Sequence, residues 1–335
     1  MSEREIRLCM IGAGNHSSRN IYPNFYKLKQ ARVVANCDLD ITRAEAAAAK
    51  HGIATSYTDY TEMLAKEQPD GVLVCVGESG HATLGVDLLA RGCNVYVEKP
   101  QSPDLAGSRA LYEAARTAGR ICMVAFKKRF GGAYRKARDI IASDEFGETS
   151  YLGVYRGRGG RREDRSGYVW SWGCHATDLV PFLFGPVRDV QALKCDQDWS
   201  ALSVNLKFQS GAAGQLAFAT PGGSWEEVLA IGSGGRAVKV SNSIFLTHFD
   251  GNEVVDTYTP SFTTGYVDGA SEMGFLGELQ EFADAIREQR QPEANIARAS
   301  HSAALHAAFM KAIDVGGTVA VEQFEELPTP RGRET

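Results

Sequence analysis

The stretch MIGAGNHS, Met10–Ser17, puts two glycines where a short apolar run meets a polar segment. The run that leads into it, Ile6–Ile11 (IRLCMI), has the pattern of a strand, and a helix is expected to follow. Gly12 permits a tight turn. Gly14 lets the main chain approach a pyrophosphate, and a helix N-terminus offers that anion free N–H groups. Ser17 stands where a third glycine is usual, and it is small enough for close helix–strand packing. Asp38 ends the second apolar run, Val33–Asp38, where a carboxylate accepts both hydroxyls of a nucleotide ribose. That carboxylate repels a 2′-phosphate, which favours NAD. Arg43, a helical turn further on, blunts the repulsion and keeps NADP possible.

Outward from this turn, strand and helix patterns alternate. Thr42–Gly52 is a run of strong helix formers stopped by glycine. Gly71–Gly77 (GVLVCVG) is almost continuously apolar, as in a strand covered on both faces. A helix over His81–Gly92, a strand over Asn94–Val97, a helix over Leu105–Ala118 and a strand over Ile121–Phe126 follow. This alternation predicts parallel strands joined by right-handed crossovers. Beyond about residue 130 the pattern changes. After a helix over Tyr134–Ala142, Val204, Leu206 and Phe208 alternate with Asn205, Lys207 and Gln209. GAAG then turns the chain back through Gln215–Ala219, and EEVLAIGSGGRAVKVS repeats the scheme. These read as antiparallel hairpins with one buried face. Helices are expected over Leu276–Glu288 and Ala297–Ile313, and LPTPRGRET reads as a loose tail. The fold class is therefore α/β. A doubly wound parallel Rossmann sheet spans 1–125, and an α+β domain with a large, mostly antiparallel open sheet spans 126–330. The cleft between the two is the expected ligand site.

Composition narrows the function. The net charge of −5 gives no general attraction to nucleic acid or anionic lipid. The seven cysteines are odd in number and form no C-x-x-C pair, which suits a reducing, cytoplasmic setting. No histidine pair has metal-ligand spacing, and neither a G-x-S-x-G elbow nor a P-loop occurs.

A second stretch carries chemistry. VYVEKPQS, Val95–Ser102, ends an apolar strand on a carboxylate, an ammonium and a proline. Strand ends of such sheets form the ligand crevice, so Lys99 points where a nicotinamide ring would lie, and Pro100 supplies a cis bond or kink there. The order of the glycine turn, Asp38, the histidine-bearing loop GESGH (Gly77–His81) and GCNVYVEKP (Gly92–Pro100) resembles the Gfo/Idh/MocA oxidoreductases. The likeness continues through FKKRFGGAYRKA (Phe126–Ala137), GCHATDLVPFLFG (Gly173–Gly185) and FLGELQEFADAI (Phe275–Ile286).

The resemblance implies that Lys99 contacts a substrate hydroxyl and the cofactor, and that His175 takes the hydroxyl proton while a hydride passes to nicotinamide. It also implies a homodimer or homotetramer formed through the open face of the second-domain sheet. Imidazole and ammonium suit these two tasks. One position departs from the pattern: Ser171 stands where an aspartate four residues before the histidine is common. Asp178, on the same helical face as His175, is expected to orient the ring instead, with Asp164 as another candidate. The cofactor side comprises Gly12, Gly14, Asn15, His16, Asp38, Gly77, His81, Glu98 and Lys127. The substrate side comprises Arg156, Arg158 and Trp172, within an arginine-rich loop that suits an anionic sugar. Lys127 and Lys128 are a second departure and also suit an anion. Trp170 and Tyr168 are further candidates for stacking on a sugar ring. The expected activity is NAD(P)-dependent oxidation of a sugar, cyclitol or derivative. An enzyme that retains NAD for transient oxidation, in elimination, hydrolysis or epimerisation, and a non-catalytic sensor of dinucleotide are the alternatives.

Overall fold

The structure is a computed structural model, and it describes residues 4–157, 165–195, 200–219, 223–260 and 269–331. The chain divides into two compact units. One is Met1–Phe126 with Phe275–Ser300 and Glu325–Thr335; the other is Lys127–Gly274 with His301–Phe324. The second domain expected over 126–330 is therefore not continuous, because residues 275–300 and 325–331 group with the first unit.

In the first unit, β1 (Ile6–Ile11) leads through α1 (Asn15–Asn20) and a 3-10 helix (Tyr22–Lys27) into β2 (Ala31–Cys37). Then come α2 (Ile41–His51), β3 (Thr55–Tyr57), α3 (Tyr60–Glu67), β4 (Gly71–Val74), α4 (Glu78–Ala90), β5 (Asn94–Val97), α5 (Leu105–Ala118) and β6 (Cys122–Val124). The six strands lie in the order β3-β2-β1-β4-β5-β6, and every pair is parallel. Register fixes the functional edge. Ile11 pairs with Cys37 and Val74, Val74 with Val97, and Val97 with Val124. The residues that follow, Gly12, Asp38, Cys75 and Glu98, therefore line one carboxyl edge. Beneath it Leu8, Met10, Val72, Leu73, Val95 and Tyr96 are fully buried, which explains their apolar run.

The second unit contains α6 (Gly132–Ile141), β7 (Thr149–Gly157), α7 (Arg165–Phe184), β8 (Val187–Lys194), β9 (Ala201–Phe208) and β10 (Ala213–Ala219). It continues through β11 (Trp225–Gly232), β12 (Arg236–Ser241), β13 (Phe245–Asp250), β14 (Glu253–Tyr258) and α8 (Gly269–Glu272). The chain ends with α9 (Phe275–Glu288), α10 (Ile296–Val315) and β15 (Val319–Ala320). The nine strands run β14-β13-β12-β11-β7-β10-β9-β8-β15 and are antiparallel except for the parallel β7–β10 pair. Leu202, Phe218, Arg156 and Glu226 pair across four strands and face inward. Leu193, Ser203, Ala217, Tyr155, Glu227, Ser241 and Phe245 form the opposite row.

Three sequence expectations change on packing grounds. Cys75, Val76 and Gly77 lie beyond β4, which ends at Val74, and Gly77 is the N-cap of α4. As far as Arg331 the final segment is not loose: the Arg331 N–H donates to the Gly119 carbonyl, and Leu327 is buried. Helix α9 returns to the first sheet, where Phe282 packs 5.9 Å from Tyr96.

In the second unit His306 lies between Trp170 (ring centroids 4.8 Å apart) and Phe309 (4.9 Å), so Trp170 is a core residue rather than a sugar platform. Burial pushes the His306 pKa down to about 4. The unfolded chain therefore takes up this proton first as pH falls. His306 stabilisation is complete above about pH 6.5 and is lost progressively toward pH 4, by roughly 3 kcal/mol. Unfolding midpoints measured between pH 7 and 4 should fall more steeply for the native protein than for His306→Phe. Parallel curves would refute this.

Candidate active site

Gly12 decides the geometry of the turn. Its φ is +105°, and a side chain there would collide with the Cys75 carbonyl. Gly14 faces open space, and no side chain caps α1 at that position. Ser17, in place of the third glycine, is buried and donates its hydroxyl to the Gly14 carbonyl at 3.0 Å. Asp38 is tied to the same turn: its Oδ2 accepts the Ala13 N–H at 2.7 Å and its Oδ1 accepts the Asp40 N–H at 3.0 Å. Arg43 pairs with Asp40 at 3.2 Å. These residues fit a dinucleotide: a small-residue cradle, an uncapped turn and a carboxylate held at the end of the neighbouring strand.

Glu98 and Lys99 follow β5. The Lys99–Pro100 bond is cis. Glu98 is buried, and both its oxygens are engaged: Oε1 meets His16 Nε2 at 3.1 Å, and Oε2 accepts the Lys99 N–H at 2.8 Å. Burial alone would raise its pKa, but the His16 hydrogen bond and the Lys99 charge outweigh that and hold the carboxyl below its ordinary range. His81, in the first turn of α4, is also buried. Its Nδ1 bonds the Pro100 carbonyl at 2.8 Å, and its Nε2 accepts the Val76 N–H at 3.3 Å. Burial lowers the His81 pKa more than the Pro100 bond raises it, so the ring is neutral. Expected as a cofactor contact, His81 braces the main chain on both sides of the strand-end edge. Asn15 and Gly77 lie exposed at the starts of α1 and α4.

The remaining candidates belong to the second unit. His175 is buried on α7. Asp178, expected to orient it, is gripped by Arg129: Nε to Oδ2 at 2.9 Å and Nη2 to Oδ1 at 2.6 Å, with both side chains buried. The physical reason is that a buried carboxylate requires a cation, and the planar guanidinium offers two parallel donors. Lys127, expected on the cofactor side, is half-buried in a short 3-10 turn, Lys127–Phe130.

Lys128 does not reach out toward a ligand. It is buried against Glu226, which also accepts hydrogen bonds from Arg156, Tyr134 (2.5 Å) and Ser243 (2.8 Å). Burial opposes the charge on Glu226, but Lys128 and Arg156 prevail and hold its pKa to about 2. Burial depresses the Lys128 ammonium to about 7. With Lys128 only partly protonated near neutrality, the two basic groups on one carboxylate leave a fraction of a positive charge over. Arg156 carries it toward Trp172, its guanidinium carbon 4.0 Å from the ring centroid. Arg158, Arg161, Arg162 and Asp164 lie outside the described residues, as do the side chains of Arg165 and Tyr168. Glu226 was not among the expected site residues. Its signal was phase, because it occupies the inward register of Val228 and Ala230 on a strand whose other inward residues are apolar.

Residues 6–126 match the family model "Oxidoreductase family, NAD-binding Rossmann fold", and residues 134–238 match the GFO/IDH/MocA C-terminal domain. The chain belongs to the Gfo/Idh/MocA oxidoreductase family. It is 24% identical over 311 residues to 4-carboxy-2-hydroxymuconate-6-semialdehyde dehydrogenase of Sphingobium sp., covering 88% of this chain and 94% of that protein. It is also 24% identical over 316 residues to the NAD-dependent scyllo-inositol 2-dehydrogenase of Bacillus subtilis, covering 87% and 89%. A solved oxidoreductase from Agrobacterium radiobacter, in complex with NAD+, L-tartaric acid and magnesium, shares the fold with a TM-score of 0.81. That protein is 19% identical, over 94% of this chain and 98% of its own. Family membership makes residues 6–126 an NAD-binding Rossmann domain. Among the described residues no helix is long and apolar enough to cross a membrane.

Proposed function

We propose that this protein is an NAD-dependent dehydrogenase that oxidises a secondary hydroxyl of a sugar, cyclitol or related hydroxy acid, preferentially one that bears an anionic group. The observation that carries the reading is the placement of Lys99. It follows β5 on the same carboxyl edge as the glycine turn, and its own N–H is bound by the buried Glu98 that also meets the turn. When bound, NAD would supply the hydride acceptor for the carbinol carbon. Lys99 stabilises the oxygen as it gains negative character, while His175 takes the hydroxyl proton. An alcohol is too weak an acid to lose its proton in advance, so both groups act in the same step. Asp38, already anchored by the Ala13 N–H, holds the ribose hydroxyls and disfavours a 2′-phosphate. Arg43 is committed to Asp40, which supports NAD over NADP.

The surplus charge around Glu226 supports an anionic substrate, with Arg156 as its contact and Trp172 as the face against which the guanidinium is held. The name of one relative, a dehydrogenase of a carboxylated muconate semialdehyde, points the same way, whereas another names an uncharged cyclitol. A second reading rests on Ser171: without the usual aspartate, the enzyme keeps NAD bound and oxidises only transiently. A homo-oligomer through the outer row of the second sheet is supported by exposed Leu193, Trp225 and Phe245.

The test is a panel of polyols, uronates and aldonates with NAD and with NADP, followed by the absorbance of reduced nicotinamide. NADH formation, greatest with anionic members, is expected. Consumption of a substrate without NADH would favour the second reading, and a purified protein that binds no dinucleotide would overturn both.

A further inference from the structure

The dinucleotide reading leaves one side chain of the glycine turn unexplained. His16 is not a small residue and is not needed for the turn, yet both its ring nitrogens are engaged. Asn20 Nδ2 lies 3.2 Å from Nδ1, and Glu98 Oε1 lies 3.1 Å from Nε2. An amide nitrogen can only donate, so Nδ1 is the acceptor and Nε2 carries the proton given to Glu98. Glu98 then passes the constraint on through Oε2, which accepts the Lys99 N–H at 2.8 Å. Asn20, His16, Glu98 and Lys99 are thus linked, with donors converging on Glu98 from both sides: His16, itself held by Asn20 of α1, gives to Oε1, and the main-chain N–H of the proposed electrophile gives to Oε2. Glu98 is about nine-tenths or more buried and ionised, so each donor to it carries more weight than a surface hydrogen bond. The imidazole itself remains 44% exposed on the turn, where a pyrophosphate would rest, and its ring also packs against Phe275 at 6.3 Å.

We infer that His16 is a positioning residue that couples the seating of the dinucleotide to the setting of Lys99. The inference rests on the NAD-dependent reading given above. A ligand that settles on the turn restrains His16, which fixes the Glu98 carboxylate and, through it, the Lys99 main chain. Conversely, a Lys99 segment already held by Glu98 keeps the imidazole oriented for the ligand. Among the described residues, the charged and titratable groups that bear on this linkage include Glu98 and Lys99 beyond β5, Tyr96 on β5, Cys75 beyond β4 and His81 on α4; Asn20 and Phe275 add no charge.

The experiment measures NADH affinity by nicotinamide fluorescence on the full-length protein, with unfolding midpoints to confirm that each variant folds. His16→Leu removes the donor to Glu98 and should weaken NADH binding about tenfold, a hydrogen bond to a charged group being worth roughly this much. His16→Gln keeps an N–H within reach of Glu98 and should recover most of the affinity, which a merely space-filling role would not predict. In the cycle of His16→Leu, Glu98→Gln and the pair, the double variant should bind NADH about as well as His16→Leu alone. Additive losses, or a His16→Leu affinity within twofold of the native value, would overturn the coupling while leaving the dehydrogenase reading in place. A native protein that binds no NADH would overturn that reading, and the inference with it.

Discussion

Replacing Lys99 with methionine should lower kcat/KM about a thousandfold on the substrate found in the panel, the loss expected when a charge-stabilising donor is removed. NADH affinity should stay within a few-fold of native. The split follows from two different roles in one residue. The ammonium acts on the reacting oxygen, where charge appears only as the proton leaves, so its removal is felt at the barrier. The Lys99 N–H, which donates to Glu98 at 2.8 Å, is main chain and survives the substitution. Methionine also retains an unbranched apolar stem, so packing beside the buried Pro100 changes little. A His175→Gln variant should lose about 10²–10⁴ in turnover, in line with removal of a general base. If Lys99→Met kept turnover within tenfold of native, the ammonium would not be the electrophile, and the charge at this strand end would serve only the Glu98 pair.

What the sequence made legible follows the range of each signal. Asn94–Val97 and Leu105–Ala118 have the bounds expected, because their ends are local. Asp104 caps α5 by accepting the Gly107 N–H at 2.9 Å, and Gly119 leaves the helix in the left-handed region at φ +62°. The glycine turn and the place of Asp38 were legible for the same reason, whereas at Pro100 the sequence left a cis bond or a kink open and the structure has the cis bond. Long-range choices were not. The apolar stripe of α9 announced a helix, but nothing in its period tells which sheet receives it. The spacing of Asp178 and His175 put both on one helical face. It could not reveal Arg129, 49 residues earlier, as the partner of that carboxylate. Lys128 looked like an exposed cation because its partner, Glu226, lies 98 residues away. The inward phase of Arg156 and Glu226 on their strands was readable, and a charged residue in an apolar register is the trace such a buried pair leaves in a sequence.

Arg129→Met should destabilise the protein by about 3–5 kcal/mol, the usual cost of stripping a cation from a buried carboxylate. At about 2.1 cal/mol/K of unfolding entropy per residue, that is a fall in midpoint of roughly 4–7 °C if the chain unfolds as one unit. Asp178 is 1% and Arg129 3% exposed, so neither can turn to water when its partner is lost. The guanidinium also covers the Phe182 ring at 5.4 Å, and methionine replaces only part of that contact. Arg129→Met with Asp178→Leu should recover much of the loss, since the uncompensated charge disappears with the carboxylate. The double variant should nevertheless turn over more slowly than native. Asp178 lies one helical turn beyond His175 on α7, so the ion pair fixes the segment that carries the imidazole. Stability restored without turnover would assign the pair to positioning of His175. Full recovery of both would make it a fold element alone, and an Arg129→Met midpoint within 2 °C of native would show that the buried carboxylate is held by other means.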